Sequence, residues 1–383
     1  MTEAINSLKF FKIHTFLWKF LGAAHKQTKK SKWRMPYLAF TISMNILVTF
    51  GYPFHLGMSV FRNNNMTDDI KNLTTFVTCG ACSIKFAFYI FNYDKVAKME
   101  KLLKLLDARV TSEKEHIIYK SLGKQLVMIL LTFVCIYTPV AIFAEAAFLT
   151  QEERGLIYPA WFPLDWHNST CNYYIANVYQ IAGVSYQIQQ NYVSDCYPAV
   201  MLCLISGNIR MLGIRFEHLG KDENISMDAH EKELEACITD HKYLLELFKT
   251  IESFMSMPML VQFTVTAVNV CISIAALLFF VTEPMAKTYF FFYGLAMPLQ
   301  IFPTCYFGMD AEYRFDQIHY AAFSCNWITQ RRSFKQKLMI FVEGSLRKST
   351  AMAGGMLRVH MDTFFSTLKF AYSLFTVILG MGN

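Results

Sequence analysis

Ten cysteines and ten histidines are the side chains of this 383-residue sequence with the greatest capacity for metal or redox chemistry. Cys79 and Cys82 have the C-x-x-C spacing of a reactive thiol pair or of half a zinc site. No matching second pair accompanies them, they lie in an apolar stretch, and the histidines are not clustered. We therefore interpret both cysteines as small residues inside a helix, and we expect neither a metal site nor a cofactor.

The sequence also lacks the common catalytic motifs. It contains no G-x-x-x-x-G-K-[ST] phosphate loop, no G-x-S-x-G nucleophile turn and no H-E-x-x-H zinc helix. We therefore expect no enzymatic activity. The roles of the other residues depend on the helices and loops in which they lie.

The composition indicates whether these elements fold in water or in a membrane. Hydrophobic residues make up 54% of the chain and aromatic residues 16%, whereas only 17% are charged. A soluble protein has roughly 25% charged residues, so soluble and disordered classes are excluded. A single anchor of about 20 residues cannot account for this excess of apolar residues, and several membrane spans are required.

Runs without charged residues mark these spans. Five predicted spans contain such runs, although Asp195 interrupts the fourth, and two more are apolar except for one lysine each, Lys85 and Lys369. A lysine at membrane depth ordinarily faces a cavity or extends to the interface. The sequence predicts an all-α membrane protein with seven transmembrane helices at about 36–60, 72–93, 124–149, 172–209, 251–282, 287–310 and 361–381.

The distribution of basic residues predicts the orientation of the chain. Thirty of the 36 Lys and Arg residues lie in the segments 1–35, 94–124, 210–250 and 311–360, and four lie in the opposite loops. The positive-inside rule then gives a cytoplasmic N-terminus and an extracellular C-terminus. This is the reverse of a G-protein-coupled receptor, whose Asp-Arg-Tyr and Asn-Pro-x-x-Tyr motifs are also missing. Three N-glycosylation triplets, at Asn65, Asn72 and Asn168, fall on the predicted outer side.

Several helices are predicted to extend beyond the bilayer. The absence of strong turn signals predicts helices from about 172 to 218, from 228 to 280 and from 287 to 327, followed by a further helix at 334–346. Their cytoplasmic ends would form either an oligomerisation hub or packing within one subunit. The N-terminal segment 1–35 is amphipathic and fits either a helix lying in the membrane interface or an ordinary packed helix.

Three segments of this sequence resemble the insect odorant receptor family. They are PAWFPLD at 159–165, AAFSCNW at 321–327, and an ending that matches F-x-x-x-L-K-x-x-Y-S-x-F-T from Phe364 to Thr376. The related gustatory receptors end in T-Y-x-x-x-x-x-Q-F, and no glutamine follows Gln336 here.

The resemblance implies a subunit of a ligand-gated, nonselective cation channel in the plasma membrane of olfactory neuron dendrites. Such subunits form heterotetramers with a shared olfactory coreceptor and bind a small volatile odorant. The coreceptor has a long insertion after span four, whereas only about 40 residues separate Ile209 from Thr250 here, which indicates an odorant-binding subunit. A gustatory-type channel, a membrane transporter and a metabotropic receptor are the alternatives.

The resemblance also implies the position of the pore. The organisation is then 1–35 as an N-terminal segment, 36–310 as a six-helix domain with a ligand pocket in its outer half, 311–360 as an anchor region and 361–383 as the pore-lining helix. Alignment of the C-termini places Val377 at the family's hydrophobic gate, with the other predicted pore residues being Ser373, Gly380 and Met381. The alternative is that Val377 only packs within the bundle.

The family pocket lies between the outer halves of spans two, three, four and six. In this sequence those stretches present apolar walls with few hydrogen-bonding groups, which suit a small volatile molecule, although each residue could instead serve helix packing. The predicted ligand-binding residues are Phe76, Cys79, Gly80 and Ser83, then Tyr137, Val140, Ala141 and Ala144, then Tyr174, Val178, Ile181 and Ala182, and finally Tyr289, Phe292 and Tyr293.

Overall fold

A computed structural model describes residues 5–23, 34–60, 66–149, 155–158, 160–282 and 284–381. The first described elements are a 3₁₀ turn, Ser7–Phe11, and a short helix α1, Lys12–Phe20. The remaining helices run in both directions through one bundle. The first half of the bundle consists of α2 Arg34–Met44, α3 Gly51–Val60, α4 Met66–Phe91, α5 Asp94–Asp107 and α6 Glu113–Leu149, and a π-helical segment, Asn45–Phe50, joins α2 to α3. The second half consists of α7 Thr170–His218, α8 Met227–Ala275, α9 Pro284–Phe323, α10 Arg332–Ser345 and α11 Met361–Met381, and a π-helical segment, Ala276–Phe280, continues α8.

Within the described ranges, six helical stretches are long and apolar enough to cross a membrane. They are Met35–Ser59, Asn72–Phe91, Glu113–Pro139, Thr170–His218, Met227–Phe280 and Pro284–Phe323. They coincide with the first six predicted spans. The seventh predicted span is a helix of 21 residues, α11, which is about 31 Å long at 1.5 Å per residue. Its crossing of the membrane stays a prediction.

The structure confirms that three helices are much longer than a bilayer is thick. Helices α7 and α8 each have 49 residues and α9 has 40, so α7 and α8 reach about 70 Å. Their far ends gather with α5 and α10 at one end of the bundle, which we name the basic end. Leu234 and Phe248 of α8 are buried in the core of this same chain. At these positions the extension packs within one subunit.

Ion pairs bind the helices of the basic end to one another. Asp240 on α8 accepts from Arg109 Nε at 2.9 Å and from Arg215 Nη1 at 2.8 Å. Arg109 also contacts Glu233 at 2.6 Å, and Arg215 contacts Glu115 at 2.5 Å. Asp240 and Glu115 are almost fully buried, and a buried carboxylate requires such partners. The network therefore links α6, α7 and α8 with the residues that follow α5.

One face of the N-terminal helix α1 packs against the bundle. Trp18 of α1 is 1% exposed and packs against Tyr197 in a tilted arrangement, with 4.5 Å between the ring centroids. Tyr93 and Phe254 complete an aromatic cluster around it. The Ser7 backbone N–H donates to Asp107 at 2.7 Å and holds the preceding turn to α5. Between the two alternatives, the structure favours the packed helix for this face.

A short β-hairpin accompanies the helices in the part of the chain that the structure describes. Strands β1 Met352–Ala353 and β2 Leu357–Arg358 pair antiparallel. Gly354 and Gly355 both have positive φ angles, 59° and 69°, as a tight primed turn requires. The hairpin is fixed to α8, because the Gly354 N–H donates to the Ser256 backbone oxygen at 3.0 Å. This hairpin connects the basic end to α11.

Candidate functional site

A small, partly enclosed cavity lies among the four elements that were predicted to form a pocket, together with the segment 155–158. Its volume is about 70 Å³. Helices α4, α6, α7 and α9 all contribute to its wall. The lining residues are Thr75, Thr78 and Cys79 from α4, Tyr137 from α6, Tyr158 from the segment 155–158, Val184, Gln187, Ile188 and Asn191 from α7, and Tyr289, Tyr293, Met297 and Gln300 from α9.

Four of the predicted ligand-binding residues line this cavity: Cys79, Tyr137, Tyr289 and Tyr293. Cys79 and Cys82 are both buried free thiols. Among the described residues, no group of three or more His, Cys, Asp and Glu side chains is placed to hold a metal ion. The side chains of Val140, Ala141 and Ala144 lie outside the described residues.

The other three residues predicted on α4 lie beside the cavity rather than in its wall. Phe76 packs against the neighbouring cluster of Tyr52 and Leu56. Gly80 faces open space. The buried Ser83 hydroxyl donates to the backbone oxygens of Thr49 and Cys79, so its hydrogen-bonding capacity serves helix packing.

The residues predicted on α7 belong to the opposite face of that helix. Tyr174 and Val178 are 63% and 65% exposed, and Ile181 and Ala182 are exposed as well. The helical spacing was correct, but this stripe points away from the cavity, and α7 instead presents two carboxamides, Gln187 and Asn191. The run from Gln187 to Asn191 contained the missed signal, because carboxamides in a membrane helix avoid lipid.

Phe292 on α9 also lies outside the cavity. It lines a separate apolar groove of about 510 Å³ between α6 and α9, where Met128, Leu131 and Leu299 are among its neighbours. Tyr289 and Tyr293, on the adjacent face of α9, take the positions in the cavity wall.

A buried ion pair lies behind the cavity. Lys85 Nζ contacts Asp195 Oδ1 at 2.6 Å and Gln262 Oε1 at 2.6 Å, and the two charged side chains are 2% and 4% exposed. Lys85 thus neither extends to the interface nor faces open water. It is neutralised by a carboxylate from another span, which is the arrangement expected of a charge at membrane depth.

Two residues of the cavity wall connect to this ion pair. The Tyr137 hydroxyl donates to Asp195 Oδ2 at 2.7 Å. Gln262 Nε2 donates to Gln300 Oε1 at 2.9 Å. The network therefore joins α4, α6, α7, α8 and α9, and any movement of Tyr137 or Gln300 by a bound molecule changes the hydrogen bonds of the pair.

A second polar cluster closes the cavity on the α4 side. The Thr78 hydroxyl contacts the Tyr293 hydroxyl and donates to the Thr74 backbone oxygen. Asn269 Nδ2 of α8 donates to Thr78 Oγ1 at 2.8 Å. The cavity wall is consequently richer in hydroxyl and amide groups than the apolar pocket expected from the sequence.

Helix α11 has two distinct faces. Phe364, Thr367, Ala371 and Phe375 are buried, and Phe375 packs on Cys271 and Ala275 of α8. The opposite stripe of Ser366, Phe370, Ser373, Val377 and Gly380 is exposed, with Val377 at 59%. Val377 is thus not an internal packing residue of its own subunit. The Met381 side chain lies outside the described residues.

The predicted glycosylation sites have different surroundings. Asn168 is exposed in a turn, where its Nδ2 donates to Asp165 at 2.8 Å. Asn72 is fully buried and its Nδ2 donates to the Ser59 hydroxyl at 2.5 Å. A glycan on Asn72 would require this amide to leave its buried position, and glycosylation of Asn72 stays a prediction. Asn65 lies outside the described residues.

Comparison with known proteins gives consistent similarities over the whole chain. The family described as "7tm Odorant receptor" matches residues 65–372. Odorant receptor 59a of Drosophila melanogaster is 58% identical, with 98% of each chain covered, and odorant receptor 33b of the same species is 33% identical over 88% of this chain and 89% of its own. The olfactory receptor OR5 from Machilis hrabei has a similar structure, with a TM-score of 0.80 at 13% identity over 98% of this chain and 99% of that chain.

Proposed function

This chain belongs to the odorant receptor family, and from that premise we propose that it is the odorant-binding subunit of a ligand-gated, nonselective cation channel. It is not an enzyme. In this proposal it forms a heterotetramer with an olfactory coreceptor in the plasma membrane of olfactory neuron dendrites. The chain crosses the membrane seven times, with its N-terminus in the cytoplasm and its C-terminus outside.

The channel proposal depends most on the exposed face of α11. A stripe of small and branched side chains, including Ser373, Val377 and Gly380, is left without a partner among the described residues of this subunit. In an assembly of four such helices around an axis, these stripes would face one another. A ring of branched apolar side chains at Val377 can hold a narrow pore dry, and a small dilation would admit water and ions.

The cavity supports the receptor half of the proposal. It lies among the helices that form the pocket in this family, and aromatic rings of Tyr137, Tyr289 and Tyr293 line it. Its volume of about 70 Å³ is below the roughly 300 Å³ of ordinary ligand sites. An odorant therefore has to move these side chains apart. That displacement gives the odorant a differential affinity for an expanded conformation, as a gating ligand requires.

The similar OR5 receptor has been solved in complex with eugenol. That finding concerns OR5, but it supports a small organic molecule as the class of ligand for the shared fold. We propose that Asn168 carries a glycan on the outer side, because its side chain is exposed in the turn before α7.

Coexpression with an olfactory coreceptor tests the function. Cells that express both subunits should show inward currents when volatile compounds are applied, and the currents should survive complete blockade of G proteins. Loss of the currents under blockade would support a metabotropic receptor instead. Transport without odorant gating would support a transporter.

A tag on each terminus tests the orientation in the same cells. Antibody labelling of intact cells should detect the C-terminal tag and not the N-terminal tag. Surface labelling of the N-terminal tag would refute the proposed topology.

A further inference from the structure

Three carboxamide side chains in the cavity wall have hydrogen-bonding capacity that the protein does not use. Asn191 is 8% exposed and makes no hydrogen bond through its side chain with the described residues. Gln187 is 2% exposed, and its Oε1 has no partner there. Gln300 accepts from Gln262 through Oε1, while its Nε2 donates to none of the described residues. All three line the cavity.

Two other glutamines of α7, Gln180 and Gln190, differ from the carboxamides of the cavity wall. Gln180 Nε2 donates to the Tyr158 backbone oxygen at 2.8 Å, and its Oε1 accepts from the Tyr158 N–H at 3.1 Å. Gln190 Nε2 donates to Thr49 Oγ1 at 2.8 Å. These carboxamides are used in helix packing. Unused groups also occur elsewhere among the described residues, as at Asn177 Oδ1 of α7, but Gln187, Asn191 and Gln300 are the carboxamide residues that line the cavity.

The unused groups include both donors and acceptors. Asn191 Nδ2 and Gln300 Nε2 can donate, while Asn191 Oδ1 and Gln187 Oε1 can accept. A hydroxyl group on the ligand can accept from one of the donors and donate to one of the acceptors. A ketone or ester oxygen can only accept, and a hydrocarbon can do neither. Val184, Ile188 and Met297 supply an apolar wall for the carbon skeleton.

We infer that Asn191, Gln187 and Gln300 determine specificity, and that the odorant is a small alcohol or phenol whose hydroxyl group binds at these carboxamides. The inference rests on the proposed function and adds the chemical class of its ligand. A hydrocarbon of the same size would displace solvent from the amides without replacing its hydrogen bonds, which weakens binding. For molecules of equal size the order of potency is alcohol, then ketone, then hydrocarbon.

The test applies matched triplets of compounds to cells that express this chain with a coreceptor. Each triplet keeps the skeleton constant, as in cyclohexanol, cyclohexanone and methylcyclohexane, and further triplets use a phenyl ring and a six-carbon linear chain. The concentration for half-maximal current should be lowest for the alcohol and at least about tenfold higher for the hydrocarbon, since each unreplaced hydrogen bond to a buried group is worth about this factor.

Substitutions assign the effect to the carboxamides. Asn191→Leu should reduce the preference for the alcohol to less than about threefold, and Gln300→Leu should do the same if Asn191→Leu does not reach the surface. Ile188→Val is the matched control, because it changes the volume of the same wall without changing its polarity. It should shift all three members of a triplet alike and preserve their order.

Three outcomes would overturn the inference. The first is a wild-type receptor that responds to hydrocarbons as well as to the matched alcohols. The second is an unchanged order in surface-expressed Asn191→Leu and Gln300→Leu receptors. In both cases the proposed function would stand, because odorants still evoke currents. The third is a surface-expressed receptor that no compound of a broad panel activates, which would overturn the proposed function and the inference together.

Discussion

Lys85 and Asp195 are the side chains whose environment most constrains the bundle. Each would be very costly to bury alone, and each is held within 2.6 Å of an opposite charge. The sequence contains one charged residue in each of two apolar runs, which is compatible with an ion pair between two spans. The partners could not be identified, because Lys85 and Asp195 are 110 positions apart and their contact depends on how α4 and α7 pack.

We predict that Lys85→Met destabilises the folded receptor by about 3–5 kcal/mol, because it leaves Asp195 buried without its counter-charge. The double variant Lys85→Met with Asp195→Leu removes both charges and should regain most of that stability. Thermal unfolding in detergent, with surface labelling in cells, measures both variants. A double variant as unstable as the single one would show that the two residues do not act as a pair.

The candidate cavity residues illustrate what periodicity can predict. Tyr289 and Tyr293, two aromatic residues predicted on α9 as ligand-binding, line the cavity. On α7, spacing alone could not distinguish between two stripes, since a helix in an oligomeric membrane protein has apolar residues on several faces. The polar stripe of Gln187 and Asn191 was the inward one. Polarity was thus a better guide than hydrophobicity, because an unpaired carboxamide is more costly in lipid than an exposed valine.

Among the secondary-structure elements, the long helices could be predicted and the hairpin could not. Apolar residues continue through both α7 and α8, which have 49 residues each and accommodate Pro198 and Pro258 in their interiors. Strands β1 and β2 have only two residues each, too few for an alternating pattern to appear. Gly354 and Gly355 indicated a turn, but not the attachment of that turn to α8.

We predict that Gly354→Ala is more destabilising than Gly355→Ala. Both glycines have positive φ angles, so each substitution incurs the cost of about 1–2 kcal/mol for a left-handed residue with a side chain. At Gly354 a Cβ atom would also lie 2.5 Å from Leu260 Cδ2 on α8, whereas at Gly355 it would meet nothing within 4 Å. Gly355→Ala is therefore the matched control, because it has the same backbone cost without the close contact to α8.

The difference between the two variants reports on the attachment of the hairpin to α8. Gly354→Ala should have the lower melting temperature and should alter odorant-evoked currents more than Gly355→Ala. Equal melting temperatures for the two variants would mean that the close approach to Leu260 does not matter for the connection to α11.

For the whole molecule and the channel proposed for it, the division of α11 into two faces is the most informative feature. The buried face of Ala371 and Phe375 packs on the bundle, while the stripe containing Val377 is exposed. The sequence predicted this stripe from helical spacing and from the resemblance of the last residues to the family. It could not indicate whether Val377 packs within its own subunit, because that depends on which face α8 and α9 cover.

The central claim is that this exposed face borders an ion path that opens with odorant. Val377→Cys receptors, coexpressed with a coreceptor, can be treated from outside with a cationic thiol reagent during odorant application. Ala371→Cys on the buried face and the unmodified chain serve as controls. We predict that the reagent inhibits the odorant-evoked current of Val377→Cys complexes and leaves both controls unchanged. An unaffected current in surface-expressed Val377→Cys complexes, or equal inhibition of the Ala371→Cys complexes, would contradict the account.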